Sequence, residues 1–180
     1  LLQYDDVMND QRKVIYEQRK DIMAAEEVAD TVVDMRHETA EAVISRHIPP
    51  RAFVEQWDID GLKVDLHQIF GDDFGVEKWV EEDGIDEQQM IDKLIDASDR
   101  QAAARKAMVG GDIWKQIERS ILLTNIDHNW KEHLSQLDSL RQVIGLRAYG
   151  QRNPLNEYKT EAFSMFGVLL DTTREAVTKS

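Results

Sequence analysis

Residues 112–144, DIWKQIERSILLTNIDHNWKEHLSQLDSLRQVI, contain the pattern that decides the fold. Apolar side chains recur there every three or four residues, which is the spacing of one face of an α-helix. The segment contains neither Gly nor Pro, and we predict one long amphipathic helix that begins at Asp112 and stops near Gly145. Its predicted apolar face consists of Ile113, Trp114, Ile117, Ile121, Ile126, Trp130, Leu134, Leu137, Leu140 and Ile144.

A second helix is predicted after a short loop. Asn153-Pro154 is a favourable helix start, because Asn is a preferred N-cap and Pro fits the first helical position. Helices joined by a short loop pack antiparallel, so we expect a stiff hairpin with residues 145–152 at its tip. The second helix carries its apolar residues at helical spacing, at Tyr158, Ala162, Met165, Phe166, Leu169 and Ala176.

Residues 4–47 also lack Gly and Pro, and apolar or small side chains recur along them at helical spacing. We predict one continuous helix, which ends at Ile48-Pro49-Pro50 because the residue before a proline is disfavoured in the α region. A helix of this length with an interrupted apolar stripe is expected to pack against several partners in turn. The interruptions are Gln11, Gln18 and Arg36.

Residues 51–111 have a different sequence pattern, in which glycines separate short segments. Asp58 or Asp60 is expected to cap a helix that carries Leu62, Leu66, Ile69 and Phe70 and that Gly71 closes. Asp86 and Gln89 have the spacing of a capping box at the start of a helix from about Glu87 to Met108. We predict a small helical insertion with a minor core that includes Trp57, Phe74 and Trp79.

Composition agrees with an all-α protein, since charged residues reach 32% and the 180 residues include only three prolines. Residues 1–111 contain 13 Lys/Arg and 26 Asp/Glu, whereas residues 112–180 contain 9 of each. An acidic surface is repelled by phosphate backbones, which argues against nucleic acid as a partner. The absence of cysteine excludes disulfides and thiolate chemistry and fits a cytosolic protein. No apolar run approaches ~20 residues.

Motifs for catalysis are missing. There is no G-x-x-x-x-G-K-[ST] phosphate loop, no G-x-G-x-x-G and no G-x-S-x-G, so we expect neither ATP hydrolysis nor acyl transfer from these residues. His128 and Glu132 share a helix face, but His133 diverges from His128 by about 140° on a helix. A metalloenzyme built on His128, Glu132 and His133 is therefore a weaker alternative than a local His–Glu pair.

The hairpin tip is the better functional lead. Residues 141–152, RQVIGLRAYGQR, contain three arginines and no acid, and Tyr149 lies between small Ala148 and Gly150. A tyrosine in this setting offers a large contact area with one polar end, which suits gripping a chain of varied sequence. In the alternative, Tyr149 folds back as a local plug while Arg141 and Arg147 pair with acids. The spacing does not separate the two interpretations.

Three stretches resemble the SecA preprotein translocase motor family. Residues 1–19, LLQYDDVMNDQRKVIYEQR, are similar to its junction between the second nucleotide-binding domain and the helical scaffold. The segment HIPP and the W-D-I-x-G-L of Trp57 to Leu62 resemble the start of its helical wing. Residues 126–166 resemble its two-helix finger. The chain, which opens on Leu1-Leu2 without an initiator Met, is thus expected to be a segment of a longer protein.

The resemblance implies a domain map and a role. Residues 1–48 correspond to the long scaffold helix, 49–109 to the helical wing and 110–180 to the remaining scaffold with the finger. The family motor uses ATP with Mg²⁺ in nucleotide-binding domains absent here, and it drives unfolded preprotein through the SecY channel. It works in the cytoplasm, at the inner face of the plasma membrane. The finger also restrains the ATPase.

By the same resemblance, Tyr149 contacts the moving preprotein, with Arg147, Gln151 and Arg152 as its neighbours at the tip. No catalytic residue, metal or cofactor is expected in this segment. Three positions depart from the family pattern, which often has Leu, Met and Gly where this chain has Asn129, Leu137 and Val143. They leave open a housekeeping motor or an accessory paralogue. The alternative function is a stand-alone helical scaffold for self-association, including a homodimer, or for partner docking.

Overall fold

A computed structural model describes residues 2–25, 28–147 and 153–180. Every regular element in these ranges is helical and none is a strand, which confirms the all-α prediction. None of the helices described has the length and apolar character needed to cross a membrane. The α-helices are α1 (Leu2–Ala24), α2 (Ala29–His47), α3 (Ile59–Phe70), α4 (Val76–Val80), α5 (Glu87–Val109), α6 (Gly111–Arg147) and α7 (Pro154–Lys179), with a 3₁₀ turn at Val54–Gln56.

The prediction of one continuous helix over residues 4–47 is wrong, because α1 ends at Ala24 and α2 begins at Ala29. Val28 is non-helical at the start of α2, with φ −111° and ψ 9°. The guanidinium of Arg119 donates a hydrogen bond to the Ala25 carbonyl oxygen. A carbonyl released at a helix end needs such a partner. This tertiary hydrogen bond satisfies a carbonyl group at the end of α1, so the helix ends there without a Gly or a Pro.

The chain divides into two compact units, and each is built from separated parts of the sequence. Unit 1 comprises Leu1–Glu26 and Arg119–Thr173, and unit 2 comprises Glu27–Glu118 and Arg174–Ser180. Both α6 and α7 therefore contribute residues to both units. The predicted boundaries at residues 48/49 and 109/110 remain a proposal about family domains.

Unit 2 has its core around α2, α3 and α5. The predicted core residues are present, with Trp57 buried and Phe74 and Trp79 packed against the cluster. The insertion does not have a core of its own, however, because the end of α2 completes it. The buried cluster comprises Ala40, Val43, Ile44, Ile48, Trp57, Leu62, Leu66, Ile69, Phe70, Val76, Ile85, Met90, Ile91 and Leu94.

Local capping in unit 2 follows the prediction. The Asp58 carboxylate accepts a hydrogen bond from the Gly61 N–H at 3.0 Å, and Gly71 closes α3 in the left-handed conformation at φ 76°. At the start of α5 the capping box is complete. The Gln89 N–H donates to Asp86 Oδ1 at 2.8 Å, and the Asp86 N–H donates to Gln89 Oε1 at 3.3 Å. These bonds satisfy amide groups that a helix start leaves unbonded.

Unit 1 contains α1 and the α6–α7 hairpin. Thr173, late in α7, meets Asn129 in the middle of α6, whereas Tyr158, early in α7, packs with the late residues of α6, so the two helices run antiparallel as predicted. The Leu155 N–H donates to Asn153 Oδ1 at 3.1 Å, which confirms the Asn-Pro start of α7. The core of this hairpin is completed by α1, and it comprises Leu137, Leu140, Ile144, Tyr158 and Ala162 with Tyr4, Val7, Met8 and Met165.

Substitution of Asp86 by Ala should lower the free energy of unfolding by about 1 kcal/mol, because the α5 start loses its side-chain cap. Urea denaturation monitored by circular dichroism measures the change. Asp83→Ala is the matched control, since Asp83 is an exposed acid three residues upstream and outside the capping box. Equal losses in the two variants would contradict the capping role.

Candidate functional site

The residues predicted to contact substrate belong to the loop between α6 and α7 and to its borders. Tyr149, Gln151 and Arg152 lie outside the described residues, and Arg147 is described only as the last residue of α6. Their roles remain predictions. The part of the hairpin that the structure describes packs against α1.

The level of the hairpin nearest the tip is held by an aromatic and ionic cluster from three helices. Arg141 of α6 donates to Asp5 Oδ1 of α1 at 3.2 Å, and its guanidinium lies 5.4 Å from the centre of the Tyr4 ring. Tyr4 in turn packs edge-on against Tyr158 of α7, with ring centres 4.8 Å apart. Arg141 thus pairs with an acid. This pairing was expected for Arg141 in the alternative interpretation, in which Tyr149 folds back as a local plug. Burial raises the pKa of the Tyr158 hydroxyl.

The middle level is a buried hydrogen-bond relay through Gln11. Its side-chain amide donates to the Ala162 carbonyl oxygen of α7 at 3.1 Å. Its carbonyl oxygen lies 2.8 Å from His133 Nε2 of α6. Because the Ala162 carbonyl can only accept, the amide nitrogen must face it and Oε1 must face the histidine. His133 therefore carries its proton on Nε2.

His133 is almost fully enclosed, with 3% of its surface exposed. The Trp130 and Phe166 rings lie 5.5 and 5.9 Å from the imidazole ring. Burial lowers the pKa of His133, because removal of water disfavours the charged imidazolium. The relay is thus built around a neutral histidine.

Farther from the tip, polar contacts join α6 to α7 and α6 to α1. Asn129 of α6 donates to the Thr173 hydroxyl of α7 at 3.1 Å, and that hydroxyl donates to the Leu169 carbonyl at 2.8 Å. Asn129 is one of the three departures from the family pattern, and here its amide supplies a buried helix–helix hydrogen bond. Arg19 of α1 forms an ion pair with Asp127 at 3.2 Å.

The three residues of the metalloenzyme alternative do not form a ligand set. His128 is exposed and lies 3.9 Å from Glu132 on the outer face of α6. His133 faces the opposite way, into the contact with Gln11. In the described ranges, no group of three or more His, Cys, Asp or Glu side chains is arranged to hold a metal ion. This arrangement supports the local His128–Glu132 pair.

A cavity of about 240 Å³ lies in the groove between α6 and α7. Its wall combines polar and apolar side chains. The cavity is lined by Asn129, Glu132, His133, Gln136, Ser164, Met165, Val168, Leu169 and Thr172.

Sequence reasoning identified the hairpin but missed Gln11 as its connection to α1. The available signal was the interruption of an apolar stripe by one polar residue, since a buried amide needs partners for both of its ends. The partner could not be read from the sequence, because His133 and Ala162 lie 122 and 151 residues away.

Comparison with known proteins decides the family. The profile of the SecA Wing and Scaffold domain matches residues 1–180, which is the whole chain. The chain belongs to this family. The match confirms the predicted resemblance to the SecA family, and it identifies the helices described above as a SecA wing and scaffold domain.

Curated relatives agree with the family assignment. The chain is 51% identical over 178 residues to the protein translocase subunit SecA of Afipia carboxidovorans. It is 50% and 49% identical over 178 residues to the proteins named protein translocase subunit SecA 1 of Rhodopseudomonas palustris and Nitrobacter hamburgensis. Each alignment covers 99% of this chain but only 19% of the relative. The chain thus spans about a fifth of the length of these relatives.

Gln11→Leu should lower the free energy of unfolding by about 1–3 kcal/mol, because it leaves the buried His133 N–H without its acceptor. Urea denaturation with near-UV circular dichroism reports this loss through Trp130, which lies beside His133. Gln3→Leu is the matched control on the exposed side of α1. A Gln11 variant as stable as the Gln3 variant would mean that the relay contributes nothing.

Stability should also fall as the pH drops below about 6.5, the ordinary pKa of histidine, toward the lower pKa of folded His133. In that window the unfolded chain binds a proton that the folded chain resists, so protonation favours unfolding. His133→Gln keeps an N–H donor without this titration and should reduce the pH slope. The measurement is the melting temperature from pH 5 to 8 in both chains, and identical slopes would contradict the assignment.

Proposed function

We propose that this wing and scaffold region couples ATP-driven movement of nucleotide-binding domains to movement of unfolded preprotein through the SecY channel. The observation that carries the proposal is the attachment of α1 to both helices of the hairpin. The Asp5–Arg141 pair, the Gln11 relay and the Arg19–Asp127 pair connect them at three levels. The relatives' printed name, protein translocase subunit SecA, supports the transport role.

The attachment has the properties of a mechanical connection. Gln11 bonds α6 and α7 through one amide group, so a displacement of α1 acts on both helices together. Packed helices with buried hydrogen bonds resist gradual deformation and change by discrete rearrangement. We infer that movement at the α1 start reaches the tip through the stem, and that restraint of the ATPase by the finger uses the same connection in reverse.

At the tip, we propose that Tyr149 contacts the preprotein and that Arg147, Gln151 and Arg152 assist it. The support is the tip sequence itself, which has three arginines and no acid from residue 141 to 152. ATP and Mg²⁺ belong to domains outside this chain, and this segment supplies no catalytic residue. In this proposal the full-length protein works in the cytoplasm, against the inner face of the plasma membrane.

A second candidate function is a scaffold for partner docking or homodimer formation. The observation that favours it is the pair of large apolar side chains exposed on α7, with Phe163 78% and Val168 62% exposed. Large apolar side chains that are exposed favour contact with a partner, because such contact removes their apolar area from water. This candidate gives the tip no role, so a test at Tyr149 separates it from the first.

Tyr149→Cys in the full-length protein, cleared of other cysteines, should form a cross-link to a preprotein arrested in the channel, and the yield should depend on ATP. The segment itself contains no cysteine to remove. Gel mobility of the adduct is the measurement. The cross-link is expected because, in this proposal, the tip contacts the preprotein each time the motor moves it.

Met108→Cys is the matched control, because Met108 is 86% exposed and belongs to unit 2, whereas the hairpin stem that leads to Tyr149 belongs to unit 1. It should give little adduct. Efficient cross-linking at Met108 with none at Tyr149 would overturn the tip contact and favour the docking scaffold.

A further inference from the structure

An open cavity of about 440 Å³ lies in unit 2 and is lined by residues from two parts of the chain. One wall belongs to residues 48–57, the segment that follows α2, and the other belongs to residues 85–88, at the start of α5. Cavities of about 300–1,000 Å³ are the usual size for ligand binding in proteins. We call this cavity the Trp57 pocket, after the indole ring in its wall.

The buried part of the wall of the Trp57 pocket is apolar. Ile48, Trp57 and Ile85 line the pocket, and all three are buried. The indole N–H of Trp57 donates to the Ala52 carbonyl oxygen at 3.3 Å, so the polar atom of the ring already has a partner. These side chains therefore offer hydrocarbon to a group that enters the pocket. Burial of an apolar group against them is favourable, because it removes apolar area from water.

Phe53 is a large apolar side chain that also lines the pocket, yet it is 75% exposed. Its backbone is held on both sides, because its N–H donates to Gln56 Oε1 at 3.1 Å and its carbonyl oxygen accepts from the Gln56 N–H at 2.8 Å. Before it, the Ala52 N–H donates to the Pro49 carbonyl oxygen at 3.1 Å and closes a turn. The ring is thus carried on an ordered segment, which lowers the entropy that binding of a partner must overcome.

Negative charge predominates beside this apolar wall. Residues 81–88, EEDGIDEQ, contain five acids and no Lys or Arg. Two of these acids, Asp86 and Glu87, line the pocket together with the cation Arg51. Opposite charges across an interface attract and like charges repel, so this side of the pocket favours basic groups of a partner. The same charges disfavour a partner rich in phosphate groups.

Some of these acids also have partners inside the protein. Glu82 forms an ion pair with Lys93, whose Nζ lies 2.8 Å from Glu82 Oε1. Glu87 Oε1 accepts a hydrogen bond from the Ser45 hydroxyl at 3.2 Å. A carboxylate has about four lone-pair sites on its two oxygens, so Glu87 can accept a further bond from a cation while it keeps this one. Asp83 is exposed in the loop before α5.

We propose that the Trp57 pocket binds a basic peptide segment that carries a large apolar side chain. The apolar side chain enters the pocket and packs against Phe53 and Trp57, and lysine or arginine residues beside it lie against the acids of residues 81–88. A peptide meets both requirements, because successive side chains stand only a few ångströms apart along one backbone. The pocket belongs to unit 2, and the proposal does not depend on the role proposed for the hairpin tip.

The test is the binding of a fluorescein-labelled octapeptide, in which a Leu-Phe pair stands between lysines, to the full chain. Fluorescence polarisation at an ionic strength of about 0.15 M gives the dissociation constant. A second peptide has glutamates in place of the lysines, and a third has two serines in place of the Leu-Phe pair. We expect both to bind at least about tenfold more weakly than the first, because each lacks one of the two groups that the pocket recognises.

Phe53→Ser should weaken binding of the first peptide about tenfold, because it removes apolar contact area without disturbing the buried core. Val64→Ser is the matched control, since Val64 is an exposed apolar residue on α3 in unit 2 that does not line the pocket. It should bind the peptide as the unmodified chain does. Tyr149→Ser should also leave binding unchanged, which separates this site from the role proposed for the hairpin tip.

Glu87→Gln tests the charge, since Gln keeps an acceptor for Ser45 and removes the negative charge. It should weaken binding about two- to fivefold, the effect of one exposed ion pair. Asp34→Asn, an exposed acid of α2 outside the pocket, should have no effect. Circular dichroism confirms that each variant is folded. Unchanged binding in the Phe53 variant, equal losses in the Phe53 and Val64 variants, or a serine peptide that binds as tightly as the first would overturn the proposal.

Discussion

Unit 1 depends on the requirement that a buried amide be bonded at both ends. Gln11 is 8% exposed, so its donor and its acceptor must find partners inside the protein. His133 and the Ala162 carbonyl meet this requirement from two different helices. A small rotation or shift of α1 would break at least one bond. Apolar contacts tolerate sliding, whereas this pair of directional bonds selects one register among the three helices.

Unit 2 reaches a defined arrangement by different means. Its core is apolar and continuous from α2 through α3 to α5, and caps mark where the helices start and end. Two non-glycine residues, Arg51 and Phe74, take positive φ values of 59° and 57° in its turns. Such conformations are costly and persist where the surrounding structure requires them. Ile48 and Val76, which lie within three residues of these two positions, are buried.

Features encoded by neighbouring residues were predictable from the sequence. The Asp58 and Asp86 caps, the Gly71 end and the Asn153-Pro154 start each depend on residues within a few positions, and all are present. The break between α1 and α2 was not predictable, because its carbonyl partner Arg119 lies 94 residues away. The partners of Gln11 escaped prediction for the same reason. A periodic pattern identifies which side chains are buried or capping, but it does not say which distant group they meet.

The division of unit 1 between the two parts of the chain has a consequence for biosynthesis. His133 follows Gln11 by 122 residues, so at about 5–20 residues per second Gln11 is synthesised roughly 6–24 s before His133. Unit 2 is mostly complete in that interval. Contacts this distant in sequence close slowly, because loop-closure entropy opposes them until both ends are present. The nascent α1, with Ile15 and Ile22 still uncovered, is thus the segment of this chain that chaperones have most time to bind.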